Sequence, residues 1–423
     1  MTGPLRFLST RADRRLLACL ILVAVGLLVR FPIKYGLGQP FLMDYNVYRF
    51  AAELIRTDQG VQLYDAAYHE GMLFRYAPIW ALLWTPLLGY VSTHAGAVLW
   101  SVATVLWIVI TLWCAVRIGD ATGRPMPWWA PAASVILLLR PLMGEFGNGQ
   151  ADLWWAGMTG LFVYFEVIGR RWTAALCLAM SIALKLTSVI FLPYVLVAGR
   201  WRTLLRTGVC LGIVLVGGSW LTDPHHHPLI LLGRWVDSLA VLTPQLSFRI
   251  GDQSFLACLA RFLTDDGYGL NLVSLSRSAV IGLALALETA LFALVLLPRR
   301  RFQDPQRFTV DAAMLMLLMV LASPSGWMTT YTVMLLPLCF AVGESARTLR
   351  DRPVDALSVA LGILAGLFSL LTHSKVWKAV GLPTWRTESY VFLVFMITPL
   401  LGLSLFAFLW RRRQLWFRAT GTL

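Results

Sequence analysis

Few residues in this chain have both the type and the setting for chemistry, and several of them fall in one stretch. Asp44, Glu53, Asp58, Asp65 and Glu70 all lie within residues 32–75, a polar segment between two apolar runs. It contains MDYNVYRFAAELIR, in which Val47, Phe50, Ala51 and Leu54 recur at helical spacing while Arg49, Glu53 and Arg56 fall opposite. Asp44 stands just before that pattern. A carboxylate there can cap a helix, satisfying orphan backbone N–H groups. It can equally act as a general base at a membrane surface, taking the proton of an attacking hydroxyl. Residue type leaves both readings open. Lys185 lies near the end of an apolar run, where its stem can snorkel toward a phosphate at the interface. Arg75 and Arg261 are the other cationic candidates, with Arg140 behind them. Each has anchoring of its own helix as the alternative role. Asp152 and Glu145 read as helix-end residues.

Other polar groups point to less. Asp223-Pro224-His225-His226-His227 invites a metal, but three adjacent histidines cannot easily face one ion, so no metal is expected. His69 beside Glu70 fits a solvated loop that could also orient a sugar. Glu288 sits inside an apolar run, too deep for a site at the surface. Most of the 18 tryptophans flank run ends, as an interfacial belt does. Tyr45, Tyr48, Tyr64, Trp327 and Trp385 are placed to stack on sugar rings.

The elements that must position these groups are apolar. The 423 residues are 58% hydrophobic and only 14% charged, with a mean hydropathy of +0.69. A soluble fold is nearer a quarter charged. Apolar runs cover 16–31, 76–91, 95–117, 128–140, 148–168, 172–185, 186–199, 204–221, 277–297, 309–322, 328–343, 354–372 and 388–410. They lack the period-2 alternation of a barrel, so the expectation is all-α and polytopic. Two longer polar regions, 32–94 and 222–276, emerge as external loops of a single integral membrane domain over 1–423. The six cysteines suggest no disulfide framework.

Short-loop arginines orient the chain. Arg6, Arg11, Arg14 and Arg15 place the N-terminus inside. If 76–91 crossed, the clusters at 170–171, 200–206 and 299–301 would all lie outside. If it lies in the outer interface, those clusters return inside, as do Arg117/Arg124, Arg347/Arg350/Arg352 and Arg411/Arg412/Arg413. Pro78, Pro86, Trp80, Trp84 and Tyr90 suit such an interfacial helix. This gives about twelve transmembrane helices with both ends inside. It also makes 172–199 two short helices, because one span would separate Arg170 from Arg200. The net charge of +14 is thus explained by topology rather than by nucleic acid.

Asp44, Val47, Tyr48, Ala51 and Ala52, then Leu63-Tyr64-Asp65, then Phe74, Tyr76 and Pro78 ahead of an apolar run resemble the first external loop of glycosyltransferase family 87. That family belongs to the GT-C superfamily of membrane glycosyltransferases. Gly149-Gln150, Ala183-Leu184-Lys185 before Leu192-Pro193, Asp252-Gln253-Ser254 followed by Arg261, and Ser323-Pro324 with Trp327 resemble further elements of it, in order. The likeness covers about residues 16 to 340. Two departures stand out. Asp252 replaces an Asn, and Thr329-Thr330 stands where the family often has a His pair.

The resemblance implies an inverting transferase of GT-C type. It would move a sugar, mannose in its mycobacterial members, from a polyprenyl-phosphate donor to a glycolipid or glycan acceptor. Asp44 would be the base. Tyr48, Tyr64, Arg75, Tyr76, Gln150, Lys185, Gln253, Arg261 and Trp327 would line the substrate site. No cofactor is implied, since the lipid-linked sugar phosphate is itself the donor and the phosphate leaves without a general acid. The setting would be a bacterial plasma membrane with the site facing outward. No Walker motif or Gly-rich βαβ turn offers a nucleotide site. A lipid or solute transporter is the rival reading, but the internal repeats typical of transporters are not evident.

Overall fold

The computed structural model describes residues 43–65, 67–68, 72–246, 252–265, 271–297, 304–324, 326–351, 356–371 and 388–419. The run 16–31, His69, Glu70, Arg299–Arg301, the region 373–387 and Trp385 fall outside them. The described residues are helical, and their one strand-like pairing is an isolated bridge between Tyr68 and Met72.

The first helix, α1 (Met43–Arg56), buries Tyr45, Val47, Tyr48, Ala51, Ala52 and Leu54. Asp44 lies within its first turn rather than before it. Helix α2 (Pro78–Leu88) opens on Pro78, whose missing N–H costs nothing there. Its 11 residues span about 16 Å, roughly half of a ~30 Å hydrocarbon core. Ser92 then caps α3 (Thr93–Ala121), accepting from the Ala95 N–H at 3.3 Å.

The next apolar run does not form the single span 128–140. It breaks at Leu138 into α4 (Ala130–Leu137) and α5 (Leu139–Asn148). Pro141 explains the break: it has no N–H to donate to Leu137 and its ring crowds that carbonyl. Residues 141–147, between the apolar runs 128–140 and 148–168, are therefore helical. Helix α5 stops at Gly149, whose φ of +68° suits a residue without Cβ, and α6 (Asp152–Val167) follows.

The segment 172–199 is a hairpin. Helix α7 (Arg171–Leu184) ends at Lys185, which is extended, and the chain returns through a 3₁₀ turn at Leu186–Ile190 and α8 (Phe191–Val197). Arg200, at the far end of the return, donates to Glu166 near the end of α6 at 2.7 Å. Arg170 follows Glu166 closely, so both arginines lie at one end and Lys185 at the other. Buried hydroxyls close the hairpin: Ser181 meets Ser188 at 2.7 Å and Thr159 at 2.8 Å. Non-helical backbone at such depth survives only inside protein.

After α9 (Trp201–Thr222), interrupted by a π-turn at Ile213–Gly217, the polar region 222–276 is itself partly helical. It carries α10 (Pro228–Leu246) and α11 (Phe255–Leu263). Then come α12 (Arg277–Leu296), α13 (Pro305–Leu321), a 3₁₀ turn at Met328–Met334, α14 (Leu335–Asp351), α15 (Ala356–Leu371) and α16 (Glu388–Ala419). Helix α13 is buried on every side and forms the axis of the core.

Among the described residues four helical stretches have the length and apolar composition to cross a membrane: Thr93–Ala121, Trp201–Thr222, Arg277–Leu296 and Met328–Leu349. The molecule has two unlike ends. At one, Tyr45 at the start of α1 donates to the Thr93 carbonyl at 2.9 Å. At the other, the described arginine clusters meet. Arg124 pairs with Glu344 at 3.1 Å, Gln306 bonds the Thr122 carbonyl at 2.8 Å, and Arg200 lies over Phe308. Arg307 and Arg413 share the buried Asp311.

Candidate active site

Four elements bring their polar ends together at the α1 end. From α1 comes Asp44. Its carboxyl is hydrogen-bonded by the Gln150 side chain and lies in the fields of Asp152, Arg75 and Lys185. Burial raises it to about 6; the Gln150 bond opposes the rise, Asp152 adds to it, and Arg75 and Lys185 oppose it. A group so placed is ionised at neutral pH yet basic enough to accept a proton.

Gln150 can hold Asp44 because Gly149 turns the chain between α5 and α6. Its amide works at both ends. The Oε1 accepts from the Thr329 hydroxyl, which leaves the NH₂ group to donate to Asp44. Thr329, 2% exposed on the 3₁₀ turn, thus bears on the base through one intermediary. Lys185, at the hairpin tip, forms an ion pair with Asp152 in the first turn of α6, and its ammonium sits 5.0 Å from the Trp155 ring centroid. Next to that pair the buried Glu145 accepts from the Leu153 N–H at 3.0 Å.

Below Asp44 lies an aromatic floor. One turn on, Tyr48 meets the Tyr76 hydroxyl at 2.9 Å and packs on Trp84 and Trp100 at centroid distances of 4.7 and 5.1 Å. Trp154 stacks on Trp100. Tyr64 is buried and donates to the Tyr76 carbonyl at 2.6 Å. The Ala77 N–H and the Trp80 indole tie the start of α2 to α7 through Ala183 and Met180. Helix α10 closes the side: Trp235 donates to the Arg75 carbonyl at 2.9 Å, and Arg234 pairs with Asp65.

The structure therefore gathers Asp44, Tyr48, Arg75, Tyr76, Gln150 and Lys185 in one place, with Tyr64 supporting Tyr76. Gln253, Arg261 and Trp327 belong to an adjoining layer. Tyr331 donates to the Gln253 carbonyl at 2.7 Å, and the buried Arg261 donates to the Asp252 carbonyl. Trp327 is 40% exposed. The Asp252 Oδ1 accepts from the Ser254 and Gly326 amides at 2.6 and 3.1 Å. An Asn oxygen would accept the same two bonds, so that exchange keeps the loop geometry. Asp152 and Thr329 are the site residues that sequence reasoning undervalued. Asp152 read as a helix end, which it also is, and nothing in the sequence links Thr329 to residue 150.

His225 and His226 pair with Asp58 and Asp223 at the surface. No group of three His, Cys, Asp or Glu side chains placed to hold a metal occurs among the described residues.

The arrangement sets a carboxylate of raised basicity in the field of two cations, Arg75 and Lys185. Comparison with known proteins identifies the family. The sequence model described as glycosyltransferase family 87 matches residues 74–324, well over half of the chain. Two curated relatives are described as polyprenol-phosphate-mannose-dependent alpha-(1-2)-phosphatidylinositol mannoside mannosyltransferases. The protein of Mycolicibacterium smegmatis is 26% identical over 86% of this chain and 84% of its own length. That of Mycobacterium tuberculosis is 24% identical over 96% of this chain and 95% of its own. Both alignments are long enough to take in most of the helical bundle.

Proposed function

The chain belongs to glycosyltransferase family 87, and on that premise we propose that it moves mannose from a polyprenyl-phosphate donor to a glycolipid of the phosphatidylinositol mannoside type. The Asp44 end faces the outside of a bacterial plasma membrane, and the arginine-rich end faces the cytoplasm. About twelve helices cross the membrane and α2 lies in the outer interface.

One observation carries this reading: the Asp44 carboxylate, held by Gln150, stands beside Lys185 and Arg75 at the end remote from the arginine clusters. Nucleotide sugars stay in the cytoplasm, so an outward site needs a donor that has already crossed. The acceptor hydroxyl attacks the anomeric carbon as its proton passes to Asp44. The bond from that carbon to the phosphate oxygen breaks, and polyprenyl phosphate leaves with the electron pair. Lys185 and Arg75 balance its charge. A single in-line displacement inverts the anomeric carbon, and the phosphate needs no acid to leave.

The test is donor choice. Purified protein is given radiolabelled mannose on polyprenyl phosphate or on a nucleotide, with phosphatidylinositol mannosides as acceptors. Label is expected in the glycolipid from the lipid donor alone, with the anomeric configuration opposite to that of the donor. Transfer from the nucleotide sugar, or retention of configuration, contradicts the proposal.

A further inference from the structure

The turn between α5 and α6 delivers Gln150 to Asp44 and Asp152 to Lys185, and one residue that the proposed reaction leaves unused ties that turn together. The Glu145 carbonyl accepts from the Gly149 and Gln150 amides at 2.8 and 3.2 Å. Its side chain reaches further. The Oε1 accepts from the Leu153 N–H at 3.0 Å, in the first turn of α6. Ala151, at the position that caps this helix, has no side-chain oxygen to offer, so Glu145 supplies one from eight residues upstream.

The other carboxyl oxygen bears on its charge. Glu145 is fully buried, and among the described residues its Oε2 has no hydrogen-bond partner. Titratable groups from three elements share its field: Asp152 of α6, Lys185 at the end of α7, and Tyr76 ahead of α2. Lys185 is paired with Asp152. A helix N-terminus favours an anion, but by less than burying an ion without a counter-charge costs. A carboxylic acid avoids that cost and loses nothing at Oε1, since its carbonyl oxygen still accepts the Leu153 bond. Burial, and after it the Asp152 charge, push the carboxyl well above the usual carboxylate range.

We propose that Glu145 is a positioning residue that works as an uncharged acid: it locks the turn so that Gln150 meets Asp44 and Asp152 meets Lys185, and it adds no third negative charge where the donor phosphate must sit. The proposal rests on the reading of Asp44 as the base, and it gives Glu145 no contact with substrate.

Transfer kinetics and infrared spectroscopy of the full chain test this. E145Q keeps the Oε1 acceptor and the absence of charge, so it should retain most of the wild-type kcat with the acid limb of its pH profile in place. E145A removes the tie. Its kcat should fall about tenfold or more, and the limb should move to higher pH, because the Gln150 bond is foremost in opposing the rise at Asp44. Subtracting the E145Q spectrum from that of wild type at neutral pH, in an ester-free detergent, should leave the carbonyl stretch of a protonated carboxyl. That arm needs no turnover: if wild-type protein transfers no mannose, the reading of Asp44 fails and the infrared band still decides on Glu145. If E145A does not fold, E145Q and the band carry the test. A carboxylate stretch in place of the acid band, a fall of about tenfold or more in E145Q, or a lower kcat in E145A with the limb unmoved overturns the proposal.

Discussion

Asp44 takes its character from residues far apart in sequence, and its titration is where that shows. With its carboxyl raised to about 6, turnover should climb with pH through that value as the base ionises. Asp152→Asn removes a repelling charge from Asp44 and releases Lys185 from its ion pair. Both changes favour the carboxylate, so the acid limb of the kcat profile should move to lower pH; a limb that stays or rises counts against the assignment. The same shift has a cost for folding. The folded value lies above the ordinary 3.8, so stability falls as pH rises between the two. Asp44→Asn removes that cost, about 1–3 kcal/mol at neutral pH. Thr329 acts one bond further out. Thr329→Val should lower kcat about tenfold, the equivalent of one hydrogen bond, while Thr329→Ser keeps it. Equal losses in both variants would point to packing rather than to the hydroxyl. In the sequence, residue type and setting suggested Asp44 and Lys185, and the family resemblance added Gln150. It marked Thr329 only as a departure from the family's His pair and could not join it to Gln150, because that bond spans 179 positions.

At the scale of elements, close approach of helices fixes where those side chains arrive. Helix α6 carries Asp152 into the site and crosses α3 at Gly157, where an added Cβ would stand 2.2 Å from a Trp107 ring carbon. Gly157→Ala should therefore cost about 1–3 kcal/mol by overpacking, read as a lower melting temperature. Gly208→Ala on α9, with open space around it, should cost nothing. Equal melting temperatures for the two would show that α6 and α3 are not so tightly packed. The hairpin 172–199 was legible because paired arginines on one side require the chain to return. The break at Leu138 was not. Pro141 marked it, but an apolar run conceals a kink that leaves hydropathy unchanged. The helices within 222–276 were hidden for a related reason, since amphipathic helices at a surface look polar over a long window.

At the scale of the whole molecule, one end collects arginines and the other collects Asp44, Asp152, Glu145 and Lys185. The proposed sidedness is read by cysteine labelling. The five described native cysteines are buried, so with Cys19 replaced the background is low. A cysteine at residue 58 should react with an impermeant reagent from outside, and one at residue 171 should not; the reverse pattern inverts the map. The proposal is that a lipid-linked sugar is transferred by a carboxylate that the bundle holds basic. Its most direct test is transfer from radiolabelled polyprenyl-phosphate-mannose by wild-type protein and by Asp44→Asn at neutral pH. The variant should melt no lower than wild type and lose turnover by about a thousandfold or more, the upper range for a positioned base. Turnover within about tenfold of wild type would contradict it, since a difference so small is about 1.4 kcal/mol of barrier.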